Sequence, residues 1–218
     1  MPAAVVLDLD GVLIDSEPVW DAARRDFANR AGGRWLPDAT QRMMGMSSPE
    51  WSRYMHEELR VPRAPTEISA GVVEAMLERY RRSMPLIAGA REAVERLAAR
   101  WPLGLASSAN RPVIELVLSE ARLTDRFAAT VSAEEVPRGK PAPDVYLEAA
   151  RRLGADPARC VAVEDSPNGI RSAAAAGMAV VAIPRSAAPV HDDVLAQTAV
   201  VLGSIDQLDS RLVEQISD

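Results

Sequence analysis

Two aspartates, one residue apart, follow the first apolar run of the chain. The run from Ala3 to Leu7 predicts a buried strand, and it continues as Asp8-Leu9-Asp10-Gly11. Side chains alternate along a strand, so Asp8 and Asp10 face the same side. Gly11 lets the backbone turn or approach a ligand closely. Two carboxylates on one side suit metal binding and attack on a phosphate better than they suit a core.

Three later segments place polar residues at or after the ends of predicted strands. They carry Ser107 and Ser108, then Lys140, then the acidic pair Glu164-Asp165. Each has an ordinary structural interpretation: a helix cap, a solvated lysine, or an acidic partner for a helix N-terminus. Taken with the first pair, they supply carboxylates, hydroxyls and an amine at one edge of a sheet. That combination is much more specific than any single segment.

Short apolar runs alternate with helical patterns along most of the chain. This alternation predicts an α/β fold with a parallel sheet covered by helices on both faces, whose ligands bind beyond the carboxyl ends of the strands. After the first strand, the predicted strands are 102–106, 128–131, 160–163, 180–183 and 200–202. The predicted helices of this part are 90–100, 113–121, 143–153 and 168–176.

One region breaks the alternation, because 15–83 contains helical patterns and no convincing strand. A helix is predicted to start at Ser16-Glu17-Pro18 and to run toward Gly32, with further helices near 49–59 and 66–82. We therefore expect a core domain formed by 1–14 and 86–218. An all-helical cap subdomain, 15–85, would be inserted after the first strand.

The composition restricts the possible partners and the location. The net charge is −6 and the pI about 5.1, which argues against a nucleic acid as the main partner. No apolar run is long enough to span a membrane. The single Cys160 excludes an internal disulfide framework and fits a reducing compartment. We therefore expect a cytoplasmic protein with no nucleic-acid or membrane partner; that it is a monomer is a separate expectation, which the composition does not decide.

Read in order, the four segments resemble the motifs of the haloacid dehalogenase-like phosphohydrolase superfamily. The stretch DLDGVLIDSEP, from Asp8 to Pro18, is similar to its nucleophile motif. Ser107, Lys140 and the pair Glu164-Asp165 match the second, third and fourth motifs. The helical insert resembles the C1-type cap of the beta-phosphoglucomutase-like and 2-deoxyglucose-6-phosphatase-like members. The resemblance covers nearly the whole chain and implies a Rossmann-like core.

The resemblance implies a nucleophile and a metal site. Asp8 would attack the phosphate and form an aspartyl-phosphate. Mg²⁺ would be held by the Asp8 carboxylate, the Asp10 backbone carbonyl and Asp165, with Glu164 as a ligand directly or through water. Asp10 would protonate the leaving oxygen and then activate water. Lys140 would neutralise the charge of the phosphoryl group.

The resemblance also implies residues that bind substrate. Ser107 would hydrogen-bond a phosphoryl oxygen, with Ser108 beside it. Trp20 is expected to contact substrate because it closely follows the nucleophile segment. Asn168 is interpreted as ordering its loop through an Asx-type turn. Further candidates for the cap side of the pocket, of which the methionines are more typical of cap packing, are Met43, Met44, Met46, Trp51 and Arg53.

Two departures favour a phosphatase over a mutase. Trp20 stands where beta-phosphoglucomutase-like members carry a histidine. The cap loop 45–49 has no arginine before Arg53, whereas those members use one to bind the distal phosphate. We therefore predict Mg²⁺-dependent hydrolysis of a small phosphomonoester, such as a sugar phosphate. A mutase and a non-catalytic sugar-phosphate-binding protein remain the alternatives.

Overall fold

A computed structural model describes residues 1–44, 46–185 and 190–216. Its centre is a six-stranded sheet in the order β3-β2-β1-β4-β5-β6, with every neighbouring pair parallel. The predicted α/β class with a Rossmann-like parallel sheet is confirmed. The strands are β1 (Ala4–Leu7), β2 (Leu103–Ser107), β3 (Phe127–Ser132), β4 (Cys160–Glu164), β5 (Ala179–Ala182) and β6 (Val200–Val201).

The central strands form because each one is apolar on both faces. Every residue of β1, β2 and β4 is buried, as expected for parallel strands between two helical layers. Alternate side chains enter different cores: Val5 and Leu7 pack on one face of the sheet, Ala4 and Val6 on the other.

Ten α-helices surround the sheet or lie between β1 and β2 in the described part of the chain. The long helices agree with the sequence-based expectations to within about two residues. The helices missed from the sequence, α2, α9 and α10, are short. The helices are α1 (Glu17–Arg30), α2 (Ala39–Met43), α3 (Ser48–Glu57), α4 (Pro65–Arg82), α5 (Ala90–Ala98), α6 (Arg111–Glu120), α7 (Asp144–Leu153), α8 (Pro167–Ala175), α9 (Asp192–Leu195) and α10 (Ser210–Gln215).

Four of these helices, α1 to α4, follow β1 before α5 returns the chain to the sheet; we call them the helical insert. Their own packing is apolar, with Met43, Met55 and Met76 fully buried. Ile14 forms an isolated antiparallel bridge with Leu86, so the segments that leave and re-enter the core run side by side. The insert is helical as expected, and the division at 15–85 stays a prediction. No helix of the described residues is long and apolar enough to cross a bilayer.

Candidate active site

The site residues meet because adjacent parallel strands end at one edge of the sheet. Asp8 directly follows β1, and Glu164 is the last residue of β4. The Asp8 amide donates to the Val163 carbonyl at 3.0 Å, which places the ends of these two strands side by side. Ser107 ends β2 on the other side of β1. Strand order therefore brings together residues more than 150 positions apart in sequence.

Lys140 lies in the loop between β3 and α7, and its ammonium is the cation of the site. Its Nζ is 2.8 Å from Asp8 Oδ1 and 2.6 Å from Glu164 Oε1, and it donates to the Ala106 carbonyl at 3.0 Å. Ala106 and Glu164 accept hydrogen bonds from this ammonium and Asp8 forms an ion pair with it, so three oxygens surround its three N–H groups. Lys140 is the only lysine of the sequence, all other members of the 25 lysines and arginines being arginine. A planar guanidinium would not reproduce this compact arrangement.

Asp8, Lys140, Glu164 and Asp165 form what we call the core cluster. One carboxylate oxygen from each of its three acids lies within 4.8 Å of the others. Burial raises the pKa of Asp8 to about 8; Lys140 opposes this shift, and Glu164 and Asp10 add to it. Burial, then Glu164 and Asp8, hold the pKa of Asp165 well above its ordinary value.

The core cluster fits a hard divalent cation such as Mg²⁺. The metal-binding atoms that its three acids offer are all carboxylate oxygens, and a bound cation would offset the repulsion between these carboxylates. Gly11 keeps the approach open: its φ is +78°, and a Cβ there would lie 1.8 Å from Asp165 Oδ2. Glycine is required at this turn both for its backbone conformation and for the space that the Asp165 carboxylate fills.

Glu164 is fully buried, and both of its oxygens already accept hydrogen bonds. Oε1 accepts from Lys140 and from the Tyr146 hydroxyl at 3.0 Å. Oε2 accepts from the Asp165 amide and from the Ser166 amide and hydroxyl. Burial alone would lower the pKa of Lys140, but Asp8 and Glu164 outweigh it and raise that pKa. Glu164 thus fixes the lysine and the start of the loop that carries Asp165.

Asp10 is held from two sides. Trp20 Nε1, on α1, donates to Asp10 Oδ1 at 3.3 Å, and the Ser107 hydroxyl donates to Oδ2 at 3.4 Å. The Ser107 hydroxyl also accepts from the Ala109 amide at 3.0 Å. The structure therefore places the Ser107 hydroxyl against Asp10, while Ser108 lies on the cleft described next. A carboxylate held between the helical insert and the sheet is well placed to move a proton.

The core cluster opens into a cleft of about 1020 Å³ between the sheet edge and the helical insert. Asp8, Asp10, Lys140 and Asp165 line it, and so does Trp20. Its size suits a small molecule.

The other candidates from the helical insert divide between the cleft and its surroundings. Met44, Met46 and Trp51 also line the cleft, whereas Met43 is fully buried in the core. Arg53 is exposed on α3 and is not part of the cleft lining. Gly45, in the predicted loop 45–49, lies outside the described residues.

The interpretation of Asn168 as the residue that orders its loop was wrong. The Ser166 hydroxyl accepts from the Gly169 amide at 3.1 Å and caps α8, and Asn168 lines the cleft. Sequence reasoning chose Asn168 because asparagine favours such turns. Serine before a proline at the helix start was the available signal, since serine is an equally good N-cap.

Glu17 and Arg24 are among the cleft residues on α1 that were missed from the sequence. Arg24 is only 5% exposed, and its guanidinium lies 5.0 Å from the Trp20 ring centroid and 5.2 Å from that of Trp51. Glu17, seven residues earlier and therefore on the same helix face, lines the same cleft. The sequence carries no signal that separates Arg24 from the other arginines of the chain. We call Glu17, Trp20, Arg24 and Trp51 the insert face.

Comparison with known proteins identifies the class. A family model described as haloacid dehalogenase-like hydrolase matches residues 2–177. Hexitol phosphatase B of Escherichia coli (strain K12) is 36% identical over 214 residues, 95% of each chain. Fructose-1-phosphate phosphatase YqaB of the same strain is 30% identical over 81% of this chain and 93% of its own.

The crystal structure of CbbY from Rhodobacter sphaeroides in complex with phosphate has the same fold. Its TM-score is 0.86 at 24% identity, over 95% of this chain and 96% of that one. The chain thus belongs to the haloacid dehalogenase-like hydrolases, as its motifs indicated, and is an enzyme of that family.

Proposed function

We propose that this protein is a Mg²⁺-dependent phosphatase that hydrolyses a small phosphomonoester, a sugar or polyol phosphate, through an aspartyl-phosphate. The observation that carries the proposal is the core cluster: a buried carboxylate faces the cleft with an ammonium at 2.8 Å and a further acid beside it. The similarity to a hexitol phosphatase over 95% of the chain supports the substrate class.

The roles follow from the positions. Asp8 attacks phosphorus, the bond to the leaving oxygen breaks, and Asp10 supplies the proton that this oxygen needs. Water then attacks the acyl phosphate, the bond from Asp8 to phosphorus breaks, and Asp10 takes a proton back. Asp8, the Asp10 carbonyl and Asp165 would hold Mg²⁺, which would supply positive charge against the phosphate.

The remaining side chains position these groups. Lys140 attracts the phosphoryl oxygens and stabilises the charge that develops in the transition state. Glu164 holds Lys140 through Oε1 and the start of the Asp165 loop through Oε2; ligation through water remains the alternative for it. Ser108 and Trp20 line the cleft and are assigned to substrate binding. The helical insert covers the site and excludes water during transfer.

The test is phosphate release from a panel of sugar and polyol phosphates in Mg²⁺, in EDTA, and after Mg²⁺ is restored. Release that needs the metal is expected, and so is a mass increase of one phosphoryl group on the peptide containing Asp8 in rapidly quenched reactions. Interconversion of glucose-1-phosphate and glucose-6-phosphate without net phosphate release would contradict the proposal. Equal activity with and without metal would contradict the role of the core cluster.

A further inference from the structure

Arg24 is a buried cation whose guanidinium forms no hydrogen bond and no close ion pair, although carboxylates lie near enough to act on it electrostatically. No hydrogen bond or salt bridge joins its guanidinium to another described residue, and its Nε is buried with no acceptor. Burial lowers the pKa of Arg24, and the carboxylates of Glu17, Asp10 and Asp21 offset only part of that decrease. An unpaired buried charge is costly, so a group that enters the cleft and accepts from Arg24 would be bound favourably.

Glu17 presents the complementary deficiency in the same cleft. Its Oε1 is buried and accepts no hydrogen bond. Burial raises its pKa, while Arg24 lowers it. Although Glu17 and Arg24 lie on the same helix face, they do not form a salt bridge with each other. The cleft therefore offers an unused acceptor and unused donors two helical turns apart, beyond the core cluster.

The charges around Arg24 decide between the two ligand classes that a guanidinium binds. Asp10, Glu17 and Asp21 all act on Arg24 electrostatically. A second phosphate on Arg24 would therefore face three carboxylates and be repelled. A hydroxyl group both accepts and donates, so it can bind Arg24 and Glu17 without adding charge.

Resting on the proposed function, we propose that Arg24 and Glu17 bind hydroxyl groups of the substrate at the end away from the transferred phosphate. They thereby select a monophosphorylated polyhydroxy compound over a bisphosphate and over a phosphomonoester without hydroxyls. Trp20 and Trp51 position the guanidinium through their rings, which lie 6.1 Å apart. Trp20 also donates to Asp10, so one side chain contacts both Arg24, which binds hydroxyls, and Asp10, which transfers the proton.

The experiment measures kcat/KM for polyhydroxy monophosphates (glucose-6-phosphate, fructose-1-phosphate and sorbitol-6-phosphate), for glucose-1,6-bisphosphate and for n-propyl phosphate. In Arg24→Met, the ratio of kcat/KM for the best polyhydroxy substrate to kcat/KM for n-propyl phosphate should fall about tenfold or more. The substrate hydroxyls then lose their guanidinium donors, whereas n-propyl phosphate has no hydroxyl to be affected. Glu17→Gln should lower the same ratio. Arg30→Met is the matched control, because Arg30 is exposed at the end of α1 and lies outside the cleft lining, and it should leave the ratio unchanged.

Each other result has a defined meaning. An equal loss on polyhydroxy substrates and n-propyl phosphate would overturn the inference and leave Arg24 a structural residue. Wild-type preference for the bisphosphate, lost in Arg24→Met, would overturn it in favour of anion binding. Should Arg24→Met unfold, Arg24→Lys keeps the charge without the planar donors and should still lower the ratio. No phosphate release by the wild type from any substrate would refute the proposed function, and this inference with it.

Discussion

The core cluster and the insert face meet across one cleft but treat their charges in opposite ways. In the core cluster the ammonium of Lys140 forms close ion pairs with Asp8 and Glu164, and both oxygens of Glu164 accept hydrogen bonds; Asp8 Oδ1 has the ion pair but no hydrogen-bond donor. On the insert face, Arg24 Nε and Glu17 Oε1 are buried with no hydrogen-bond partner, and neither side chain forms a close ion pair. The comparison suggests that the cluster is prearranged for chemistry, whereas the insert face is completed by the substrate.

Removing the nucleophile is the strongest way to break this comparison. Asp8→Asn should lower phosphate release on the order of 10⁴-fold or more, because an amide cannot form the acyl phosphate. The fold should be retained, since the amide is isosteric with the carboxylate. Asp125→Asn is the control, because Asp125 is exposed on the other end of the sheet. Steady-state phosphate assays and circular dichroism measure both; appreciable activity in Asp8→Asn would exclude the covalent mechanism.

Removing the ammonium should have the next largest effect. Lys140→Met should lower kcat by about 10²- to 10³-fold, because the developing phosphoryl charge loses its stabilising cation. It should also lower the free energy of unfolding, because Glu164 stays buried without its partner. Lys140→Arg, which keeps the charge but not the geometry, is the control. Full activity in Lys140→Arg would show that charge alone suffices.

The link between the two regions can be tested at Trp20. Trp20→Phe keeps an aromatic ring but removes the indole N–H that donates to Asp10, so kcat should fall about tenfold. Trp35→Phe, in the loop between α1 and α2 and absent from the cleft lining, should leave kcat unchanged. If Trp20→Phe changes KM alone, Trp20 contacts substrate without orienting Asp10.

The last prediction concerns how the stability of the metal-free protein depends on pH. Because the pKa of Asp8 is raised to about 8, the metal-free folded protein keeps a proton that the unfolded chain releases above about pH 4. In EDTA, the free energy of unfolding should therefore fall as pH rises from about 4 to 8. Each kcal/mol lost lowers the melting temperature by about 2–4 °C. Mg²⁺ should raise the melting temperature more at pH 8 than at pH 5.

Asp165→Asn is the control for this measurement, because it removes one acid of the cluster. It should reduce the stabilisation by Mg²⁺ at pH 8. A melting temperature that does not respond to Mg²⁺ in the wild type would argue against a metal bound by the core cluster.

The chemistry of the core cluster could be predicted from the sequence because it is tied to strand ends. Asp8, Ser107 and Glu164 each stand at or just after a buried apolar run, and parallel strands align their carboxyl ends. The positions of the long helices could also be predicted, because apolar spacing marks a helix and glycines and prolines mark its ends. Short helices such as α9 have too few turns to show a period, and they were missed.

The insert face was decided by the tertiary structure. Sequence identified Trp20 as a candidate but gave no reason to choose Arg24 from among the many arginines, since an unpaired buried charge is a property of everything packed around it. Likewise, only the folded molecule shows that the Ser107 hydroxyl donates to Asp10 and that both oxygens of Glu164 accept hydrogen bonds from neighbouring groups. The order of residues along strands carries information that is local, whereas burial and hydrogen-bond pairing depend on segments that meet only after folding.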